Sequence, residues 1–344
     1  MGKAYNKINQ NELAIKYLKK GLAVAQKYQL NFAEFKSVNN LGHVYGRLNQ
    51  SDSAEVYLLK ALDIQIRLGN KRKQGEVLTN LANNAGSAQQ RDKAFDYYDR
   101  ALALFQEVGN VRYISAVYRD IGTSHFFSGD YPKTIDSFQK ALAALEGSQH
   151  FSHIIKTLDF LSEAYTTIED YDNALLYLER ASNTWREAYG ERKNSEFSFK
   201  KGKVWLLKKE YKTAKYFLLE SLAIKKETGQ FVNPNLYQSL GESYEELIQV
   251  DSALYFYEKA IDIASGSKNF FIHALSLSGL ARIYQEKGNI NKAQDLYQKA
   301  YSIAQKNGIQ ERQMDAANGL YAINKAQKNY KTALAYLELS LIHI

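Results

Sequence analysis

Nine small residues stand at an almost constant step along the chain: Ala14, Ala54, Ala94, Thr134, Ala174, Ala214, Ala253, Ala293 and Ala333. Every interval is 40 residues except one of 39, between Ala214 and Ala253. A period kept over 344 residues requires one supersecondary unit copied end to end. Such a chain grows by stacking, each copy covering its neighbour's apolar face, and needs no single central core. The functional question moves accordingly, from a pocket inside a globule to a surface that holds something.

Aligned on those alanines, the rest of the unit emerges. Twelve residues earlier stands a small residue: Gly2, Gly42, Ala82, Gly122, Ser162, Gly202, Gly241 or Ala281, with Tyr321 breaking the rule in the last copy. Nine residues before each alanine comes a ring or large group, among them Tyr5, Tyr45, His125, Tyr165, Trp205, Tyr244 and Tyr284. Three residues after it come Tyr17, Tyr57, Tyr97, Tyr177, Phe217, Phe256 and Tyr336. Seven after it is a further small residue, such as Ala61, Ala101, Ala141 or Ser221. Offsets of three, four and seven place these groups on one stripe of an amphipathic helix. Small residues opposite rings let two helices approach closely, the ring filling the gap. Ten of the 26 tyrosines fall at these two aromatic packing positions, and the tyrosines read as core and not as a stacking platform.

Turns divide each unit into two helices. In Ser128-Gly129-Asp130-Tyr131-Pro132, Gly129 suits a helix end, Asp130 an N-cap, and Pro132 a first turn where a missing N–H is tolerated. Lys287-Gly288-Asn289, Glu169-Asp170-Tyr171 and Lys328-Asn329-Tyr330 occupy the same place. Glycines at 69, 109, 147, 190, 229, 266 and 308 mark the second turn, between repeats. Asn233-Pro234 reads as an N-cap followed by the first helical residue, which assigns the single deletion to the loop before it. The expected fold is all-α: a right-handed α-solenoid superhelix of about nine helix-turn-helix units, one solenoid over residues 1–344. Its repeats run roughly 1–30, 31–70, 71–109, 110–148, 149–190, 191–229, 230–267, 268–308 and 309–344.

The pattern resembles the tetratricopeptide repeat. The fourth copy carries Ile121, Gly122, Gly129-Asp130-Tyr131, Phe138 and Ala141, with Ile121 where the family usually has leucine. The seventh carries Leu240, Gly241, Tyr244, Ala253, Phe256 and Ala260. The family's usual repeat is about 34 residues; the longer step here implies helices extended by roughly 4–5 Å each. In this it is similar to the long-repeat branch found in kinesin light chain, polarity adaptors, peptide-responsive regulators and sensor regions of bacterial signalling proteins. The resemblance implies a non-enzymatic scaffold that binds a protein or extended peptide, as the sensory or adaptor segment of a bacterial signalling protein. Two alternatives stay open: a peptide-responsive regulator of a phosphorelay or transcription factor, and an assembly adaptor for a multiprotein complex.

In this architecture the first helix of each unit lines the concave face. Counted from its small residue, the exposed groove positions are expected three before, one after and five after. The second repeat then offers Asn39, His43 and Arg47, and the third Thr79, Asn83 and Ser87. From the fourth come Arg119, Thr123 and Phe127, and from the fifth Asp159, Glu163 and Thr167. The sixth supplies Phe199, Lys203 and Leu207, the seventh Gln238, Glu242 and Glu246, and the eighth Ser278, Arg282 and Glu286. Asparagine and arginine on helices suit an extended peptide, because they bond its backbone and its carboxylates. The lysine and asparagine clamp of chaperone-binding members is not matched, since Asn39 is followed by His43.

No catalytic, cofactor or metal site is expected. The chain has no cysteine, which removes disulfides and thiol nucleophiles. His150 and His153 form the one close histidine pair, in what reads as an inter-repeat loop, with no carboxylate in register. Ser265-Gly266-Ser267-Lys268 lacks the leading glycine spacing and preceding strand of a phosphate loop. The net charge of +8 is spread through all repeats and interleaved with acids, so no nucleic-acid track is expected. No apolar run suits a membrane span or a secretion signal, which favours a soluble cytoplasmic chain over a periplasmic sensor region. Solenoids carry polar caps on their terminal repeats. This chain opens at Met1-Gly2, already inside a unit, and stops at Ile344 on an apolar ending. The string Leu339 to Ile344 is also similar to a translated sequencing-adapter end. The chain is therefore expected to be a piece of a longer protein whose output domain lies elsewhere.

Overall fold

The computed structural model describes residues 10–190 and 192–341. The expectations placed on Met1, Gly2 and Tyr5, and on residues 342–344, lie outside the described residues. Seventeen helices and no strand are found among them. The first helices of the repeats are α2 (Asn31–Arg47), α4 (Lys71–Ser87), α6 (Val111–Phe127), α8 (Phe151–Thr167), α10 (Ser195–Leu207), α12 (Pro234–Glu246), α14 (Phe270–Glu286) and α16 (Gln310–Ala326). Alternating with them are the second helices. These are α1 (Asn11–Lys27), α3 (Ser51–Arg67), α5 (Arg91–Glu107), α7 (Tyr131–Ala143), α9 (Tyr171–Tyr189), α11 (Tyr211–Glu227), α13 (Val250–Gly266), α15 (Ile290–Lys306) and α17 (Tyr330–Leu341).

The chain forms two compact units, Met1–Asp170 with Asn183–Ala188, and Tyr171–Ser182 with Tyr189–Ile344. Within the first, α2, α4 and α6 each pair with the helix that follows, and α2–α4, α4–α6 and α6–α8 also touch. Within the second, α10, α12, α14 and α16 do the same. No comparable packing joins consecutive second helices among the described residues. In each unit the first helices are therefore the inner, more closely spaced layer, as the sequence leads one to expect.

The regular connection is three residues long, and its hydrogen bonds explain why the helix phase survives it. After α2, Gln50 N–H donates to Tyr45 O at 3.0 Å and Asn49 N–H to Gly46 O at 3.0 Å. This is a Schellman closure, which satisfies the last carbonyls of one helix while its final residue starts the next. The middle residue sits in the left-handed region: Asn49, Gln89, Gly129, Glu169, Lys209, Ile248, Gly288 and Lys328 within repeats, and Gln29, Gly69, Gly109, Lys268 and Gly308 between them. Gly266, the glycine beside this turn, ends α13, and Lys268 takes the left-handed position, at φ 55°. Three connections depart from the pattern, before α8, α10 and α12. The last holds the deletion, with Asn233 Oδ1 accepting from Leu236 N–H at 3.0 Å and Pro234 opening the helix.

Helix packing corrects one expectation. The ring three residues after the repeat alanine was expected opposite the small residue of the first helix. The structure places there the residue four after: Leu58 over Gly42, Phe138 over Gly122, Leu218 over Gly202 and Tyr257 over Gly241. A Cβ built on Gly122 would lie 2.5 Å from the Phe138 ring, and one on Gly241 2.6 Å from the Tyr257 ring. On an α-helix the fourth residue on lies about 40° from the starting one and the third about 60° away on the other side. The fourth thus shares the alanine's inward direction. The third instead reaches the large ring of the first helix, Tyr57 stacking on Tyr45 at 5.4 Å and Phe256 on Tyr244 at 5.2 Å.

Candidate functional site

Two neighbouring first-helix positions divide the work of stacking. The residue three before the small one faces the following repeat. Arg119 on α6 reaches α8, its Nη1 donating to Thr157 Oγ1 at 3.4 Å and its Nη2 lying 3.3 Å from His153 Nδ1. Asn39 on α2 reaches α4, accepting from Asn80 Nδ2 at 3.4 Å. The residue two before faces the preceding repeat, as Asn80 does in lying 3.3 Å from His43 Nε2. The position three before was expected to be exposed, and this is corrected for four residues: Arg119, Phe199, Gln238 and Ser278 are buried. Stacking covers that position, and neither helix alone reveals it. Asn39, Thr79 and Asp159 at the same place are half-buried.

Arg119 is 7% exposed and bonds Ser115 Oγ at 3.2 Å besides Thr157 and His153. Burial pulls the guanidinium below its ordinary value, and the nearby Asp120 carboxylate opposes this. His153 is also corrected, because it lies in the first turn of α8 and not in a loop; His150 is that helix's N-cap. Burial lowers the His153 pKa, and Arg119, Arg112, His150 and Lys156 add repulsion in the same direction. The histidine pair is part of the α6–α8 seam. No group of three metal-ligating side chains occurs among the described residues, and no helix is long and apolar enough to cross a membrane.

The positions one and five after the small residue do open to solvent. His43, Arg47, Asn83, Ser87, Phe127, Glu163, Thr167, Lys203, Leu207, Glu246, Arg282 and Glu286 are exposed, with Thr123 and Glu242 half-buried. Several are already engaged: Arg47 with Asn11 at 2.9 Å, Gln238 with Glu242 at 3.1 Å, and Arg282 with both carboxylate oxygens of Glu245 at 2.8 and 2.9 Å. Thr79 and Thr123 return their hydroxyls to Gly75 and Arg119 carbonyls at 2.9 and 2.8 Å.

In the first unit these positions converge. Asn83, Ser87, Thr123 and Phe127 line an open cleft of about 760 Å³ between α4 and α6, floored by α5. Thr123, Phe127 and Glu163 line a smaller apolar pocket of about 80 Å³ between α6 and α8, completed by Phe126, Phe138 and Phe160. Phe138 and Phe160 stack at 5.2 Å, and the Phe127 ring stands 83% exposed at the shared rim. Sequence reasoning missed Tyr98 and Asp120 in the cleft. The Tyr98 hydroxyl donates to Asn83 Oδ1. Burial raises the Asp120 carboxyl above the ordinary range, while an Asn83 hydrogen bond, Arg119 and Lys156 hold it down. The missed signal was the helical period itself. Asp120, Thr123 and Phe127 are i, i+3 and i+7 on α6, one stripe. Lys203, Gln238, Glu242 and Arg282 belong to the second unit and take no part in this cleft.

Comparisons with known proteins bear on the repeat fold that carries these residues. Models described as "Tetratricopeptide repeat" match residues 33–107, 73–147 and 268–307. The ycf37 protein of Porphyra purpurea is 32% identical over 128 residues, 34% of this chain and 69% of that protein. The chain belongs to the tetratricopeptide repeat family. Tetratricopeptide repeat protein 29 of Macaca fascicularis is 26% identical over 192 residues, 54% of this chain and 39% of that protein, so the chain spans well under half of that relative's length. Among solved structures, aspartyl phosphate phosphatase F from Bacillus subtilis superposes with a TM-score of 0.62 at 11% identity, covering 100% of this chain and 94% of that one. The apo form of RapI gives 0.59 at 14% identity, covering 78% and 96%. At such identities these likenesses establish the tetratricopeptide fold alone.

Proposed function

We propose that the chain is a non-enzymatic scaffold that holds an extended segment of a partner protein along its first helices. The observation that carries this reading is the cleft lined by Asn83, Ser87, Thr123 and Phe127, side chains of two successive first helices meeting around one opening. Hydroxyls and an amide suit a peptide backbone, and an exposed ring beside them suits an apolar side chain. Placing a photo-crosslinking residue at Ser87 tests it, with a second at Asp96, an exposed residue on the outward side of α5. Crosslinking of a partner peptide from Ser87 and not from Asp96 supports the groove. The reverse pattern places the contact surface elsewhere.

The sharper reading is a sensory or adaptor segment of a bacterial signalling protein, with its output domain outside these 344 residues. The long repeat and the absence of a converged catalytic constellation among the described residues support it; regulator and assembly-adaptor roles are its rivals. Reading the native gene around this segment decides among them. A continuous kinase or helix-turn-helix domain favours the sensor, and a reading frame of repeats alone favours an adaptor.

A further inference from the structure

We infer that the cleft and pocket flanking α6 select a peptide carrying a basic side chain and an apolar side chain about three residues apart, the cation pairing with Asp120 and the apolar group entering the phenylalanine pocket. This rests on the groove reading above and specifies what the groove takes. Three observations combine. First, Asp120 is a half-buried carboxylate on the wall of an open cleft. Among the described residues it sits in no ion pair, and the Asn83 side chain, Arg119 and Lys156 only temper the rise that burial gives its pKa. A carboxylate accepts about four hydrogen bonds, so acceptor capacity remains for a group entering the cleft.

Second, the polar wall facing Asp120 across the cleft is itself held. Asn83 Oδ1 accepts the hydroxyl of buried Tyr98, which fixes that side chain before a ligand arrives. Third, the apolar pocket starts where the polar cleft ends, because Thr123 and Phe127 line both. Asp120 and Phe127 lie two helical turns apart, roughly 10 Å along α6. An extended chain covers that span in about three residues. Arg91 lies at the cleft lip, exposed to solvent, where it suits a peptide carbonyl and its repulsion toward a bound cation is screened.

The test uses a displayed library of random peptides selected on the full chain and on Asp120→Asn and Phe127→Ala, with unchanged circular dichroism as the folding control. The native chain enriches peptides with Lys or Arg two to four positions from Leu, Ile, Met or Phe, on the order of tenfold over the naive library. Asp120→Asn loses the basic preference and keeps the apolar one, and Phe127→Ala does the opposite. Enriched peptides without the basic–apolar pair, or a basic preference that survives Asp120→Asn, overturn the inference and leave the groove reading standing. Failure of the native chain to enrich any peptide overturns both.

Discussion

Ile248 is a β-branched residue held at φ 58° in the turn between α12 and α13, with its side chain 84% exposed. Other repeats place asparagine, glycine or an unbranched polar residue there. Its Cβ crowds the following carbonyl, which costs roughly 1–2 kcal/mol. Ile248→Gly removes that strain and no packing, so it should raise the denaturation midpoint by an amount equivalent to about 1 kcal/mol, less the glycine entropy. Asp120 stores a different penalty. Because burial raises its folded pKa, the folded chain retains a proton where the unfolded chain releases it. Stability from this group is fully present below the unfolded carboxylate value and is lost as pH rises through the raised one. Asp120→Asn should therefore melt higher than the native chain at pH 7, with the gap closing in acid. Thermal scans at pH 3 and pH 7 check both halves of the statement. A residue that weakens the fold while facing a cleft fits a binding role.

Tyr257 shows how one element joins two repeats. Its ring is 1% exposed and lies between Gly241 of its own repeat and Gly279 of the next. Its hydroxyl donates to Glu245 Oε2 at 2.5 Å, and Glu245 holds Arg282 of the next first helix. A Cβ at Gly279 would stand 2.5 Å from the ring, and the ring cannot retreat because Gly241 closes the other side. Gly241→Ala and Gly279→Ala should each lower stability by about 1–3 kcal/mol in urea denaturation. Gly86→Ala is the contrast: nothing lies within 4 Å of its added Cβ, so it should stabilise α4 by about 0.5–1 kcal/mol. Gly241 was legible in the sequence as a small-residue position, but its partner was not, and Gly279 lies off that position. Spacing pointed to Phe256, three residues after Ala253, and only the rotation of α13 against α12 chose Tyr257.

At the scale of the whole molecule, stability is a sum over neighbours. Gly122→Leu drives a side chain into Phe138 and should loosen α6, α7 and α8 while leaving α14 and α15 protected. Hydrogen exchange read helix by helix checks this, and a uniform loss of protection would contradict nearest-neighbour stacking. The 40-residue step by itself determined the all-helical repeat, the turns at Gly129 and Gly288, and the solvent-facing positions one and five after the small residue, since each follows from periodicity within one helix or one turn. Left-handed turn positions such as Lys209 and Lys268 carry no local signal, because stacking enforces them on residues with no preference for that conformation. Only the tertiary structure decided that Arg119 is buried, that Asp120 faces the preceding repeat, and that a polar cleft and an apolar pocket share the rim at Phe127. Those facts depend on how far one first helix is rotated against the next. A helix's own sequence fixes which stripe is apolar, and its neighbours fix which edge of that stripe stays open.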